Sequence, residues 1–365
     1  MRKFFRGFMD RYFHDEESII LTLLLISALV LLLNIGGIIA PLIVAIILAY
    51  LLQGLVGTLQ RFGCSYLLAV VLVYTLFISA FLALFLLVLP QAWSQFARLI
   101  NELPRLLSEG QALLMLLPEH YPGVITEQQI QDFIRGLRGE IALFGQTLLT
   151  YSIASIPNIM SWIIFLILVP VLVFFIMKDK TVLIDWMASM LPSHRPLMRR
   201  IWQEMDVQVA NYVRGKALEI MILGSVSYIA FAFLGINYSL LLSVLIGLSV
   251  IVPFIGVTVV VFPVAAVAYA QWGIGSEFYT VLAVYTVIQL LDANLLVPLI
   301  FSETVNLHPV AIIVAVLVFG GLWGLAGVFF AIPLATLVKA IINAWPTHNP
   351  LAESASPPQD AAGMQ

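Results

Sequence analysis

Long apolar runs separated by two charged interludes set the pattern of this chain. The first runs are Ile19 to Asn34, Ile38 to Gln53 and Tyr66 to Leu89. Each comes near the roughly 20 residues that a membrane-spanning helix needs. Asn34-Ile-Gly-Gly37 is expected to turn the chain between the first two. Pro41 falls early in the second helix, where its missing N–H does little harm. A second turn runs from Gln53 to Cys64 and contains Arg61. Later runs are Ile156 to Met177, kinked at Pro170, then Ala217 to Leu234 and Phe278 to Pro298. Alternating strands are not evident, so the pattern predicts an all-α polytopic transmembrane bundle over a β-barrel.

Two apolar units, Ser239 to Ala270 and Pro309 to Ala344, are too long for one simple span and are interrupted near the middle. The first breaks at IVPFIG, Ile251 to Gly256, and the second at FGGLWGLAG, Phe319 to Gly327. Neither break carries a charge, so neither reads as an ordinary solvent loop. Broken-helix hairpins that enter and leave on one side, or pairs of short spans, both fit.

The first charged interlude, 90–151, holds four basic and six acidic residues. Within it Ile130, Phe133, Ile134, Leu137, Ile141, Phe144 and Leu148 follow helical spacing behind Thr126, an N-cap candidate with Gln129 three residues on. That predicts an amphipathic helix whose apolar face packs on a neighbouring helix or a sister subunit. The second interlude, 178–216, holds seven basic and four acidic residues and reads as cytoplasmic by the positive-inside rule. Leu197, Ile201, Met205, Val209 and Tyr212 form one helical face in it. Counting spans outward puts both termini inside and 90–151 outside. The segments are then 1–89, a tail and three spans; 90–151, outer; 152–177, one span; 178–216, inner; 217–344, the core; and 345–365, a Pro-rich polar tail expected to be disordered.

Composition sharpens this picture. Of 365 residues 62% are hydrophobic and 10% charged, against about 25% charged in soluble domains. Mean hydropathy is +1.05. The N-terminal MRKFFRGFMDRYFHDEES mixes four basic and four acidic residues, which reads as a tail before a retained span and not as a signal peptide. A single cysteine, Cys64, excludes an intramolecular disulfide, and no Cys/His cluster has metal-site spacing. No Walker motif, dinucleotide fingerprint or nucleophile elbow is present. The sequence therefore predicts no enzyme, no cofactor, no metal and no nucleic-acid partner.

Gln289, Asp292 and Asn294 stand out because they interrupt an apolar run. An aspartate at mid-span costs about 2.5–3.5 kcal/mol on translocon scales and should face protein or a water-filled cavity. Gln289 and Asp292, three apart, share a helix face, whereas Asn294 projects roughly opposite at about 100° per residue. Pro298 leaves the Asn294 carbonyl without its helical donor. Such a site could hold a proton, a sodium ion or a polar solute; the alternative is that Asp292 lies near the interface and caps a neighbouring helix. Glu219, three residues after Lys216, is either a coupling carboxylate or half of an interfacial anchor pair. Glu303 and His308 are further coupling candidates, or plain loop residues. Pro253, Gly256, Gly320, Gly321, Gly324 and Gly327 sit at the two breaks, where they allow tight packing or substrate-facing backbone.

These residues carry a resemblance. VPFIG at 252–256, IQLLDANLLVPLIFSETVNLHP at 288–309 and FGGLWGLAGVFFAIPLATLVKA at 319–340, with the order of spans, resemble the autoinducer-2 exporter-like, PerM-type permeases of bacterial inner membranes. LVPVLVFFIMKDK at 168–180 and NYVRGKALE at 211–219 look like the PerM branch. The resemblance implies a multi-spanning, homo-oligomeric transporter with about eight membrane segments. Members of that family are linked to export of the signal autoinducer-2 and, in other branches, to sodium/proton exchange. The expectation is a secondary transporter moving a small polar solute or ion by alternating access, with the lipid bilayer as its surroundings. A membrane scaffold holding an envelope protein through 90–151, or a passive channel, are the competing classes.

Overall fold

A computed structural model of the chain describes residues 16–115, 127–136, 139–140, 143, 156–253, 255–301 and 307–344. Every regular element among them is helical: α1 (Glu16–Arg61), α2 (Tyr66–Ala83), α3 (Leu89–Leu114), α4 (Ile156–Lys178), α5 (Lys180–Ser189), α6 (Pro196–Leu234), α7 (Ser239–Ser249), α8 (Ile255–Trp272), α9 (Ser276–Leu291), α10 (Val297–Phe301) and α11 (Pro309–Ala344). Six helices among the described residues are long and apolar enough to cross a membrane, and Ile163–Lys178 and Ser239–Ser249 are shorter apolar helices. Large apolar side chains lie outermost, Phe233 at 88% exposure and Ile38 at 79%. Surface of that kind suits lipid, where a soluble fold would hide it.

The expected turn at Asn34 to Gly37 is instead a kink. Helix α1 runs through it with only Ile35 leaving helical geometry, at φ −125° and ψ 15°, and the Asn34 amide donates to the Val30 carbonyl at 2.8 Å. In lipid an open Gly-Gly turn would leave backbone groups unpaired, so the helix persists. Likewise the second half of the second charged interlude, from Pro196, and the span after it share one helix, α6. Residues 127–136 of the expected amphipathic helix are helical, with Ile130 and Ile134 buried and Phe133 exposed. Thr126, Leu137, Ile141, Phe144 and Leu148 of that expected helix lie outside the described residues.

Two widened turns precede prolines. Leu84–Val88 and Asp292–Leu296 are π-helical, closed by bonds from Leu89 N–H to the Leu84 carbonyl and from Val297 N–H to the Asp292 carbonyl. Pro90 and Pro298 follow immediately. A proline cannot donate to the carbonyl four residues back, and a wider turn absorbs the mismatch without breaking the helix.

The chain divides into two compact units, Met1–Ala40 with Asp179–Tyr212 and Glu303–Gln365, and Pro41–Lys178 with Val213–Ser302. In the first, Leu21 of α1 packs with Met198 and Ile201 of α6 and with Leu337 and Ile341 of α11. The Glu17 carboxylate accepts the Met198 N–H at 2.7 Å, satisfying one of the donors that every helix start leaves open. The second unit holds two cores. In one, Ala45, Ala49, Leu52 and Val56 of α1 meet Ala69, Val70 and Val73 of α2 and Val169, Val173 and Met177 of α4. In the other, α6, α7, α8 and α9 pack through Phe231, Leu242, Ile246, Val264, Val281 and Tyr285. There Gly247 comes so near α6 that a Cβ would lie 2.9 Å from the Ile220 carbonyl oxygen.

Both interrupted units reverse against their own backbone. A Cβ on Gly256 would fall 1.8 Å from the Ser249 carbonyl oxygen, and one on Gly327 would fall 1.8 Å from that of Phe319. Gly324 has φ +59° and ψ −137°, a conformation that side chains rarely adopt. Gly324→Ala is expected to cost about 1–3 kcal/mol. Gly256→Ala should cost more, because backbone must move. Unfolding midpoints in detergent check both, and an unchanged midpoint in Gly256→Ala would show that the Ser249 carbonyl is not held against it.

Candidate functional site

Tyr285, Gln289 and Asp292 follow one another at four- and three-residue intervals and so line one stripe of α9 and its widened turn. The stripe faces inward, and Asp292 is only 6% exposed. On α6 the three-residue spacing of Lys216 and Glu219 likewise puts both on one face, at 8% and 2% exposure. Their ion pair closes at 2.8 Å. Lys216 Nζ also donates to the Val250 carbonyl at 3.0 Å and stands 5.5 Å from the centre of the Phe301 ring. Val250 ends α7, where carbonyls lack helical donors and the helix dipole is negative. The ammonium is thus held by a carboxylate, a helix end and an aromatic face, three attractions that together offset its removal from water.

Asp292 completes the cluster. It interacts electrostatically with Glu219, and Lys216 acts on both carboxylates. With both carboxylates ionised, one ammonium against two carboxylates leaves a buried net charge of −1. Two polar atoms of the stripe are unsatisfied: Asp292 Oδ1 and Gln289 Oε1 are buried with no hydrogen-bond partner. The Tyr285 hydroxyl is engaged, donating to the Val257 carbonyl at 2.6 Å. Unsatisfied buried groups of this kind are costly in a purely structural role. Chemically, the arrangement can take up one positive charge or a polar group that offers donors.

The chain matches the family model described as AI-2E family transporter over residues 19–347. It belongs to the AI-2E transporter family. PerM of Escherichia coli strain K12, provisionally named a permease, is 44% identical over 336 residues, covering 92% of this chain and 95% of that protein. YueF of Bacillus subtilis strain 168, provisionally named a transport protein, is 27% identical over 82% of each chain. The AI-2 transport protein TqsA of E. coli K12 is 26% identical over 84% of this chain and 86% of its own. The higher identity to PerM sets this AI-2E family member with the PerM branch, and the protein is a multi-pass membrane protein of a bacterial transporter family.

Not all the residues singled out from the AI-2E chain's sequence meet at the cluster. Asn294 is exposed, and its amide donates back to the Leu290 carbonyl at 2.9 Å. Pro253 is half-buried in the break between α7 and α8, and Gly256 is buried in the first turn of α8. Gly320, Gly321, Gly324 and Gly327 lie in α11, in the other compact unit. There Trp323 stacks on Phe319, 5.8 Å between ring centres and 4° from parallel, and its buried indole N–H has no partner. His308 is exposed at the start of α11, where its Nδ1 accepts the Val310 N–H at 3.3 Å. Glu303 lies outside the described residues. Among the described residues no group of three or more His, Cys, Asp or Glu is placed to hold a metal ion. In the sequence Lys216 stands out only as an interfacial partner of Glu219, and nothing in the apolar pattern marks Tyr285, Val250 or Phe301.

Proposed function

We propose that the chain is a secondary transporter of the bacterial inner membrane, moving a small polar solute or an ion by alternating access, with Asp292 as its coupling carboxylate. One observation carries this reading: within a helix apolar enough to span lipid, Asp292 is buried with an unpartnered oxygen, beside an ion pair that is already closed. An aspartate that only capped a helix would have its oxygens bonded, and burying one otherwise is costly. Gln289 supplies neighbouring donor and acceptor atoms for a proton, a sodium ion or a solute. The break between α7 and α8 lies next to Lys216 and gives the backbone a place to change shape. The charged interludes support an outer segment at 90–151, an inner one at 178–216 and cytoplasmic termini. The exposed apolar surface has room for lipid and for further copies of the chain.

The test is flux through the purified protein in proteoliposomes under an imposed proton or sodium gradient, over a panel of small polar solutes and the ions themselves. Gradient-dependent movement of at least one is the expected result. A protein that moves nothing would overturn the reading and favour a scaffold that holds an envelope partner through 90–151.

A further inference from the structure

We infer that Lys216 is a resident cation: its ammonium occupies the metal-ion position of the carboxylate cluster, which leaves Asp292 a proton site and closes the cluster to sodium. The inference rests on the reading of Asp292 as the coupling carboxylate. A bare cation in such a place would draw on a carboxylate and on carbonyls at a helix end. Those are the groups that Lys216 already uses, Glu219 Oε2 at 2.8 Å and the Val250 carbonyl at 3.0 Å. A second metal-like charge would sit against the ammonium in a low-dielectric interior, where like charges repel strongly. The deficit that remains is a single positive charge, and a proton supplies it without any coordination shell. Protonated, the Asp292 carboxyl becomes a donor, and Gln289 Oε1, a buried acceptor without a partner, lies three residues earlier on the same face.

Among the described residues, the surroundings of Asp292 add no competing charge. On α9 the neighbours along its stripe are Tyr285 and Gln289, both uncharged. From α8 comes the Val257 carbonyl that Tyr285 binds, and from the end of α7 the Val250 carbonyl that Lys216 binds. The other cation near this end of α6, Arg214, lies against Gly54 of α1, where a Cβ would be 2.9 Å from its Nε. Among the described residues, Lys216 and Glu219 are therefore the charges that act on Asp292.

Radioactive sodium binding to the purified full-length protein at alkaline pH tests this. Wild type and Lys216→Arg are expected to hold no saturable sodium. Lys216→Gln is expected to gain saturable binding at least about tenfold above the wild-type background, and to lose it again when combined with Asp292→Asn. Saturable sodium on the wild type would overturn the inference, as would a monodisperse Lys216→Gln protein that binds none. Should Lys216→Gln fail to fold, the wild-type and Lys216→Arg measurements still decide. Binding is read without flux, so the two readings part cleanly. The expected binding pattern in a protein that moves nothing sinks transport and keeps the resident cation; proton-driven flux by a wild type that binds sodium does the reverse.

Discussion

Asp292→Asn is expected to lower gradient-driven flux by a factor of roughly 100, at the upper end of ordinary coupling energies between sites, while the protein stays folded. Asparagine has nearly the same shape, so it keeps its place on the buried stripe with Gln289 and Tyr285. It cannot gain or lose a charge, so a gradient no longer has a grip on the cluster. The remaining ionised groups, Lys216 and Glu219, are paired at 2.8 Å and sum to zero. Stability should hold or rise slightly, because the buried net charge of −1 has been removed. Flux and unfolding midpoint measured on the same preparation separate the outcomes. Lost flux with an intact midpoint assigns the charge to coupling, whereas equal flux in both proteins would make Asp292 structural and move the site to the breaks.

The largest stability effect is expected from Lys216→Met, about 3–5 kcal/mol, the cost of breaking a buried ion pair from one side. Glu219 is 2% exposed and has no other cation acting on it from within the cluster. Changing both partners, Lys216→Met with Glu219→Leu, should return most of that loss, since the desolvation of two charges is avoided together. Unfolding midpoints of the two single variants and the double variant form a thermodynamic cycle. A double variant as unstable as the sum of the singles would show that the two residues are not coupled.

Much of this was legible in the residues. Apolar run lengths announce helices, and the uncharged breaks at VPFIG and FGGLWGLAG announce interruptions of the two long units. The three-residue spacing of Gln289 and Asp292 places both on one face, and the same arithmetic turns Asn294 away from them. The burial of Lys216 and Glu219 was not legible. A lysine at the start of an apolar run looks the same whether it snorkels to the interface or reaches a helix end inside the fold. What decides is the Val250 carbonyl, thirty-four residues away and visible only once α7 stops at Ser249. Asn34 to Gly37 misleads for a related reason, because turn chemistry learned in water does not carry into lipid, where α1 keeps its hydrogen bonds.

Helix α7 is only 11 residues long, and helices below about 12–15 residues are marginal on their own. Both of its ends are finished by side chains from elsewhere. Near its start the Gln95 side chain accepts the Leu241 N–H at 2.8 Å, and at its end Lys216 meets the Val250 carbonyl at 3.0 Å. Both partners precede it in the chain. During synthesis, therefore, the ribosome delivers α7 to a membrane that already contains its two clasps, and Asp292, emitted later still, arrives where its counter-charge is waiting. The order of residues along the chain thus puts both clasps ahead of the helix they finish, and the ammonium ahead of the aspartate it faces.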